Sequence, residues 1–510
     1  MYWEGQKLMK KKTMMNVVSA GIYQLVLFVS NLIIPRLILV YYGSECNGII
    51  SSITQMLSLV SILRLGIAGS TRVELYKKLS INDVQGTSGI IRATQEFMRK
   101  ITLAIVIYIG ILAIFYPYMM DSMYSRKEIM ALILILGLGT CSEYFFGITY
   151  MTLLDADQKM YFYTGIKCFL TVFNTVLVSW LMIVGTSIYS VKFTTTIIFM
   201  LCPIILNICV PKMYLLKKNV AADKSALKNR SHVMASSIAN IIHENTDVVI
   251  LTFFSTAKMI SVYSVYNLVT AGLKSVISVF TNSLEPLFGR LWALKEYGKV
   301  RKGLHVYELL IAAFVSIIFS AAFLLIVPFV SLYTKGITDI NYILPVYAVL
   351  VMLTQIVYCI RLPYLTIVQA AGKYKETKGA NYLEAALNVA ISMILTIKLN
   401  LYGVIIGTLI ANLVRTLLYA NYIYKELLPE RETGMLKKMI WMCANMMISM
   451  GVYNAIESMI FLKIENWADW ILCGILIVLI STVITLSSAI IFYRKDIKYI
   501  LSFTDKRNGK

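Results

Sequence analysis

The chain has 510 residues, 58% of them hydrophobic, and its mean hydropathy is +0.72, outside the range of soluble domains. The formal net charge of +21 does not point to nucleic acid, because the basic residues sit in short loops between apolar segments. Apolar runs of bilayer-crossing length recur from end to end, and the short alternating segments of a β-barrel do not dominate, so the fold class is an all-α polytopic membrane protein.

The N-terminus is basic (Lys7, Lys10, Lys11, Lys12) and runs into an apolar stretch at 17–40. That stretch is too long for a signal-peptide core and lacks a small-residue cleavage site, which makes it a retained first span. Hydropathy then predicts about fourteen spans, at 17–40, 47–71, 101–120, 128–153, 162–185, 191–211, 233–255, 260–285, 304–328, 344–368, 379–398, 401–424, 439–462 and 469–493. With both termini inside, cytoplasmic loops and tails hold 35 of the Lys and Arg residues and external loops only 7. This fivefold bias predicts a multi-pass protein of the cytoplasmic membrane with N and C termini cytoplasmic.

The longest external loop, 329–343, has about fifteen residues, whereas 72–100 and 212–231 are the largest internal ones. The second of these is polar and basic, follows the sixth span, and reads as a linker between lobes with a secondary attraction for anionic membrane lipids. Segments 35–76 and 248–289 repeat one pattern of span, short turn, span and basic loop at an offset near 213. A six-span offset keeps both halves in the same orientation, a parallel repeat. The expected organisation is an N-terminal lobe at 1–211, a linker at 212–232, a C-terminal lobe at 233–424, and two appended spans with a basic tail at 425–510.

Eight Cys residues are scattered without a CxxC pair, and His232, His243 and His305 make no ligand spacing with them. No metal, disulfide framework or other cofactor is expected. The P-loop pattern GxxxxGK(S/T), HExxH and GxSxG are all absent, and there is no soluble domain to hold a nucleotide-sugar. Asp155-Ala156-Asp157 has the DxD spacing of some metal-dependent glycosyltransferases, but in so short a turn it reads as a solvated helix end.

What remains is charge inside the spans. The cations are Arg36, Arg64, Lys167, Lys274, Arg361 and Arg415; the anions are Glu143, Glu244, Asp247, Glu384 and Glu457, with Glu285 at a span end. Several stand in polar rows at helical spacing. Ser236, Asn240, His243, Glu244 and Asp247 share a face of the seventh span, and Asn267, Thr270, Lys274, Ser278, Thr281 and Glu285 one of the eighth. Thr354, Tyr358 and Arg361 share a face of the tenth, Asn381, Glu384, Asn388 and Ser392 of the eleventh, and Thr408, Asn412, Arg415 and Tyr419 of the twelfth. Such rows either glue helices together or line a wet cavity. Snorkelling to the headgroups competes for Arg64, Lys167 and Arg361, whereas Lys274 and Arg415 lie deeper. Cations fixed in a cavity would attract phosphate or pyrophosphate.

The chain resembles the Wzx-like oligosaccharide-lipid flippases of the MOP superfamily, which also holds the MATE drug exporters and the lipid II flippases. The likeness extends over most of 15–493. It rests on Tyr42-Gly43-Ser44-Glu45-Cys46-Asn47-Gly48 after the opening span, Leu65-Gly66-Ile67-Ala68, Asn245-Thr246-Asp247, Val262-Tyr263 and Glu285-Pro286-Leu287-Phe288. Ser261 precedes that Val-Tyr pair where the family usually has Gly. The resemblance implies two six-helix lobes rocking around a central cavity, and transport of undecaprenyl-pyrophosphate-linked oligosaccharide with no catalysis. Residues expected at the substrate are Arg64, Lys274, Arg361, Arg415, Asn240 and Asn267. Glu143, Glu244, Asp247 and Glu384 would balance charge or couple H⁺ or Na⁺. A polysaccharide polymerase and assembly proteins would be partners. The competing readings are a MATE-like cation-coupled drug exporter, which needs an anion-dominated cavity, and a membrane-embedded oligosaccharide polymerase, which needs a large external loop.

Overall fold

The computed structural model describes residues 2–64, 67–120, 122–217, 220–223, 245–429, 434–460 and 463–497, with side chains described except at 2–11, 63–64, 67–70, 279–280, 282–283 and 459–460. Among the described residues the chain is almost wholly helical and has no strand. This is what a bilayer demands, since a helix satisfies its own backbone polar groups and needs no water to do so. Phe169 and Phe492 are 69% and 71% exposed, an inversion of soluble-protein burial that suits hydrocarbon.

The helices are α1 (Tyr2–Ser58), α2 (Ile67–Ser80), α3 (Val84–Met119), α4 (Arg126–Ser142), α5 (Ile148–Ala156), α6 (Met160–Ile183), α7 (Ile188–Met213), α8 (Asn245–Phe254) and α9 (Ala257–Ala293). They continue with α10 (Tyr297–Tyr333), α11 (Pro345–Ala370), α12 (Tyr374–Leu399), α13 (Leu401–Tyr422), α14 (Met435–Ile460) and α15 (Trp467–Phe492). Twelve described helical stretches are long and apolar enough to cross a membrane, and α8 is a shorter apolar helix. The first stretch, Lys12–Ile62, is two helices joined at Gly43, whose φ of 82° and ψ of 174° suit glycine alone. Gly43 falls between the spans expected at 17–40 and 47–71, so the first stretch holds both, and most of the seventh expected span, 233–255, lies outside the described residues.

Two spans extend well beyond their apolar cores. α3 begins at Val84, where the Asp83 carboxylate caps it by accepting from Gly86 N at 2.7 Å, and α10 begins at Tyr297. Polar ends of this kind carry a helix past the hydrocarbon into the headgroup region, so hydropathy alone truncates them.

The chain forms two compact units, Met1–Ser264 and Val265–Lys510. α8 and the start of α9 pack with the first, although they follow the basic linker at which the sequence reading divides the lobes. In the first unit, Leu75, Ile90, Leu153 and Leu206 meet in one apolar core, and Ile38, Val178, Met182 and Val191 in another. In the second, α12 packs along α13, which also packs on α11; α14 and α15 both lie against α10. Leu325, Tyr453, Cys473 and Ile477 make the apolar contact that seats the last two spans.

Candidate functional site

The polar rows sort into three places. In the first unit, Asn245 and Thr252 on α8 make a polar seam against α1. Asn245 Oδ1 accepts from Gln55 Nε2 at 2.5 Å and from Ser58 Oγ; Ser52 and Thr252 hydroxyls meet at 2.6 Å; Asn47 Nδ2 donates to Ser261 and Ser264 Oγ at 2.8 and 3.0 Å. Gly48 allows the approach, for a Cβ there would lie 1.7 Å from the Ala257 carbonyl oxygen. Ser261, where the resembled family has Gly, is thus a bonding member of the seam. Asp247 is buried and accepts from the Tyr263 hydroxyl at 3.2 Å. Ser236, Asn240, His243 and Glu244 lie outside the described residues.

Elsewhere in that unit, Glu143 is half-buried and opens a π-turn, Glu143–Gly147, between α4 and α5. One extra residue per turn re-aims the side chains around it, a device common at functional sites. Arg64 closes a 3-10 turn, Leu59–Arg64, and its side chain lies outside the described set. Asp155 and Asp157 are engaged in ion pairs. Asp155 pairs with Arg72 at 2.7 Å. Asp157 pairs with Lys159 at 2.7 Å and Lys12 at 3.0 Å, and accepts from the Tyr214 hydroxyl at 2.7 Å. Burial would raise the Asp157 carboxyl, but the hydrogen bonds from Lys159, Tyr214 and Lys12 outweigh it and hold that carboxyl below the usual carboxylate range. The expected solvated helix end is instead a staple that ties α1, α2, α5 and α7 together.

In the second unit, α11, α12 and α13 bring Arg361, Glu384 and Arg415 into one buried triad. Arg361 Nη1 donates to Glu384 Oε1 at 2.7 Å, and Arg415 Nη1 donates to the other carboxylate oxygen. The three residues are 3%, 1% and 3% exposed, so they sit in a packed seam rather than on an open face. Arg361 Nη1 also donates to Asn412 Oδ1 at 2.9 Å, while its Nε is buried with no hydrogen-bond partner among the described atoms. Two guanidinium groups on one carboxylate leave a net positive charge. Asn388 Nδ2 donates to Thr408 Oγ1 at 2.9 Å and Tyr419 OH to Asn381 Oδ1 at 2.8 Å, which zip α12 to α13.

That zip depends on a pattern the sequence reading passed over, Gly403 and Gly407 one turn apart. A Cβ at Gly403 would lie 2.4 Å from the Leu395 carbonyl carbon, and one at Gly407 2.7 Å from Ser392 N. Small residues at this spacing let two membrane helices close to backbone contact.

Lys274 on α9 is exposed, and its Nζ stands 5.3 Å from the centroid of the Tyr358 ring. The Arg361 guanidinium carbon stands 5.3 Å from the same ring. Tyr358 therefore makes a cation–π contact with one member of the buried triad and with an exposed ammonium. Asn267 is also exposed, and its Oδ1 accepts from the Thr270 hydroxyl at 2.9 Å.

A second buried carboxylate escaped sequence reasoning. Glu308 on α10 accepts from Lys438 Nζ at 2.7 Å and from the hydroxyls of Tyr364 (2.7 Å) and Tyr424, with His305 Nδ1 at 3.6 Å. Its signal was present, a Glu inside the opening of an apolar run with His at i−3. Lys438, assigned to a loop, is 5% exposed. No group of His, Cys, Asp and Glu among the described residues could hold a metal ion.

The described residues form a helical membrane bundle with fixed charges buried between its helices. No family model matches the sequence, and no curated protein matches it. Solved structures do. The lipid II flippase MurJ in an inward closed conformation matches with TM-score 0.61 at 16% identity, covering 93% of this chain and 99% of that one. An inward-facing multidrug resistance MATE family transporter of the MOP superfamily matches with TM-score 0.57 at 13% identity, covering 85% and 95%. A mutant of the Vibrio cholerae MATE transporter VcmN matches with TM-score 0.51 at 14% identity, covering 83% and 96%. The chain has the fold that MATE transporters and the lipid II flippase share.

Proposed function

We propose that this protein is a flippase of the cytoplasmic membrane that moves undecaprenyl-pyrophosphate-linked oligosaccharide repeat units outward for surface polysaccharide biosynthesis. The observation that carries the reading is the cationic character of this part of the second unit, where Arg361 and Arg415 share one carboxylate, Glu384, and Lys274 stands over the Tyr358 ring that Arg361 also meets. A pyrophosphate headgroup needs fixed positive charge in a place of low dielectric, whereas a cationic drug is repelled by it. Arg361 and Arg415 are engaged with Glu384, so Lys274, exposed over Tyr358, is the group that meets the phosphate and Asn267 on the same helix offers an amide to the sugar. The triad sets the local potential and holds α11, α12 and α13 in register. Lobes at 1–211 and 233–424 would alternate access, with Arg64 and Asn240 added to the headgroup path and Glu143, Glu244 and Asp247 balancing charge or carrying a coupling H⁺ or Na⁺. No catalytic step is needed, and the polymerase and assembly proteins act on the delivered unit.

The buried carboxylate of Asp247 favours a second reading, cation-coupled drug export. One comparison separates the two. Deleting the gene should strand lipid-linked glycan on the cytoplasmic side and strip the surface polymer, with unchanged susceptibility to cationic drugs. Normal polymer together with heightened drug susceptibility selects the exporter.

A further inference from the structure

At the end of the bundle where α10 and α14 begin and α15 ends, a cleft of about 500 Å³ opens between the three helices. Among the described residues, four lysines line it, Lys302, Lys437, Lys438 and Lys495, with one carboxylate, Asp496. Lys438 is almost fully buried and braced from behind by Glu308, so its ammonium is fixed in place. Lys302, Lys437 and Lys495 are exposed and add positive charge to it. His305 completes the wall from α10.

Two further observations name the kind of anion. Tyr493 lines the cleft and stacks edge-on against Trp441 at 5.3 Å, an aromatic pair of the sort that marks headgroup depth in membrane proteins. Within two positions of lining residues, Leu436, Ile440, Ile491 and Phe492 are 66%, 62%, 73% and 71% exposed. A ligand here has its charge among ammonium groups and apolar surface beside it, which is the layout of a phospholipid.

We propose that this cleft binds the headgroup phosphate of an anionic phospholipid, held by Lys302, Lys437, Lys438 and Lys495. Ammonium groups are compact charges that take a phosphate without a fixed fork, and basic pockets between spans are suited to such headgroups. The lipid bridges α10, α14 and α15, locking the last two spans to the unit they pack on. The site is independent of what the protein transports.

The test uses the full-length protein in detergent, titrated with phosphatidylglycerol, phosphatidylcholine or inorganic phosphate, and read by native mass spectrometry and thermal stability. Phosphatidylglycerol should bind at one tight site and raise the melting temperature, with neither effect from phosphatidylcholine. The triple variant Lys302→Gln, Lys437→Gln, Lys495→Gln should bind it about a hundredfold more weakly. Asp496→Asn, which removes a carboxylate lining the cleft, should bind it more tightly and guards against loss of folding in the triple variant. Unchanged affinity in the triple variant, or no gain in Asp496→Asn, overturns the proposal. Equal stabilisation by inorganic phosphate assigns a soluble ligand and overturns it as well.

Discussion

The triad and Lys274 assign different work to cations that look alike in the sequence. Removing Glu384 leaves two guanidinium groups buried without their carboxylate, and breaking a buried pair of this kind costs about 3–5 kcal/mol. Glu384→Gln should therefore lower the amount of folded protein and its melting temperature in detergent, with transport falling in proportion. Lys274→Ala removes an exposed ammonium, so the protein should accumulate normally while surface polymer is lost. Arg415→Lys keeps the charge but not the planar fork, and should recover only part of the stability that Arg415→Ala loses. If Lys274→Ala lowers abundance and polymer together, its ammonium is structural and not a substrate contact. Asp157 gives a pH signature. Its folded carboxyl titrates below its unfolded value, so its contribution is intact above the ordinary carboxylate range, about pH 4, and is lost as the pH falls through the lowered value. The melting temperature should fall less steeply on acidification in Asp157→Asn than in the wild type.

Some helix seams depend on close backbone approach. At Gly403 and Gly407 the neighbours a side chain would strike include backbone atoms of α12, which cannot swing aside. Gly403→Ala should cost about 1–3 kcal/mol by forcing α12 and α13 apart, and because Asn388 and Thr408 bond across the same seam, the loss spreads to the triad. Gly48→Ala, facing the Ala257 carbonyl, should act likewise on the seam between α1 and the start of α9. Thermal unfolding of the two variants measures this; values within about 0.5 kcal/mol of wild type would mean the helices have room to part. At Gly21 and Gly451 a Cβ meets nothing within 4 Å, and alanine there serves as the control.

At the scale of the whole chain, the fold was legible because hydropathy and charge bias are additive along a sequence. The number of spans and the membrane class need no knowledge of contacts. The helix faces were legible too: the rows Asn381, Glu384, Asn388, Ser392 and Thr408, Asn412, Arg415, Tyr419 do meet. What periodicity could not give was the partner, since Glu384 reaches residues 23 and 31 positions away on two other helices. Glu308 was missed because its partner Lys438 sits in a stretch whose hydropathy looks like a loop. Orientation is likewise a reading of charge bias. A fluorescent protein that matures only in the cytoplasm, fused at either terminus, should glow, and a cysteine placed between Thr334 and Leu344 should react with an impermeant reagent from outside.

The bond between Glu308 and Lys438 carries a consequence for how the chain is made. The lysine is synthesised 130 residues after the carboxylate it neutralises. When α10 leaves the ribosome, Glu308 has only His305 of its own helix for company; Tyr364 arrives 56 residues later and Tyr424 116 residues later. Until α14 emerges, that carboxylate lacks the ammonium that pairs with it in the folded protein. Docking of α14 is thus a late step in assembling the second unit. Nascent chains arrested before residue 435 should stay sensitive to protease and to membrane quality control, while those released after α15 should not.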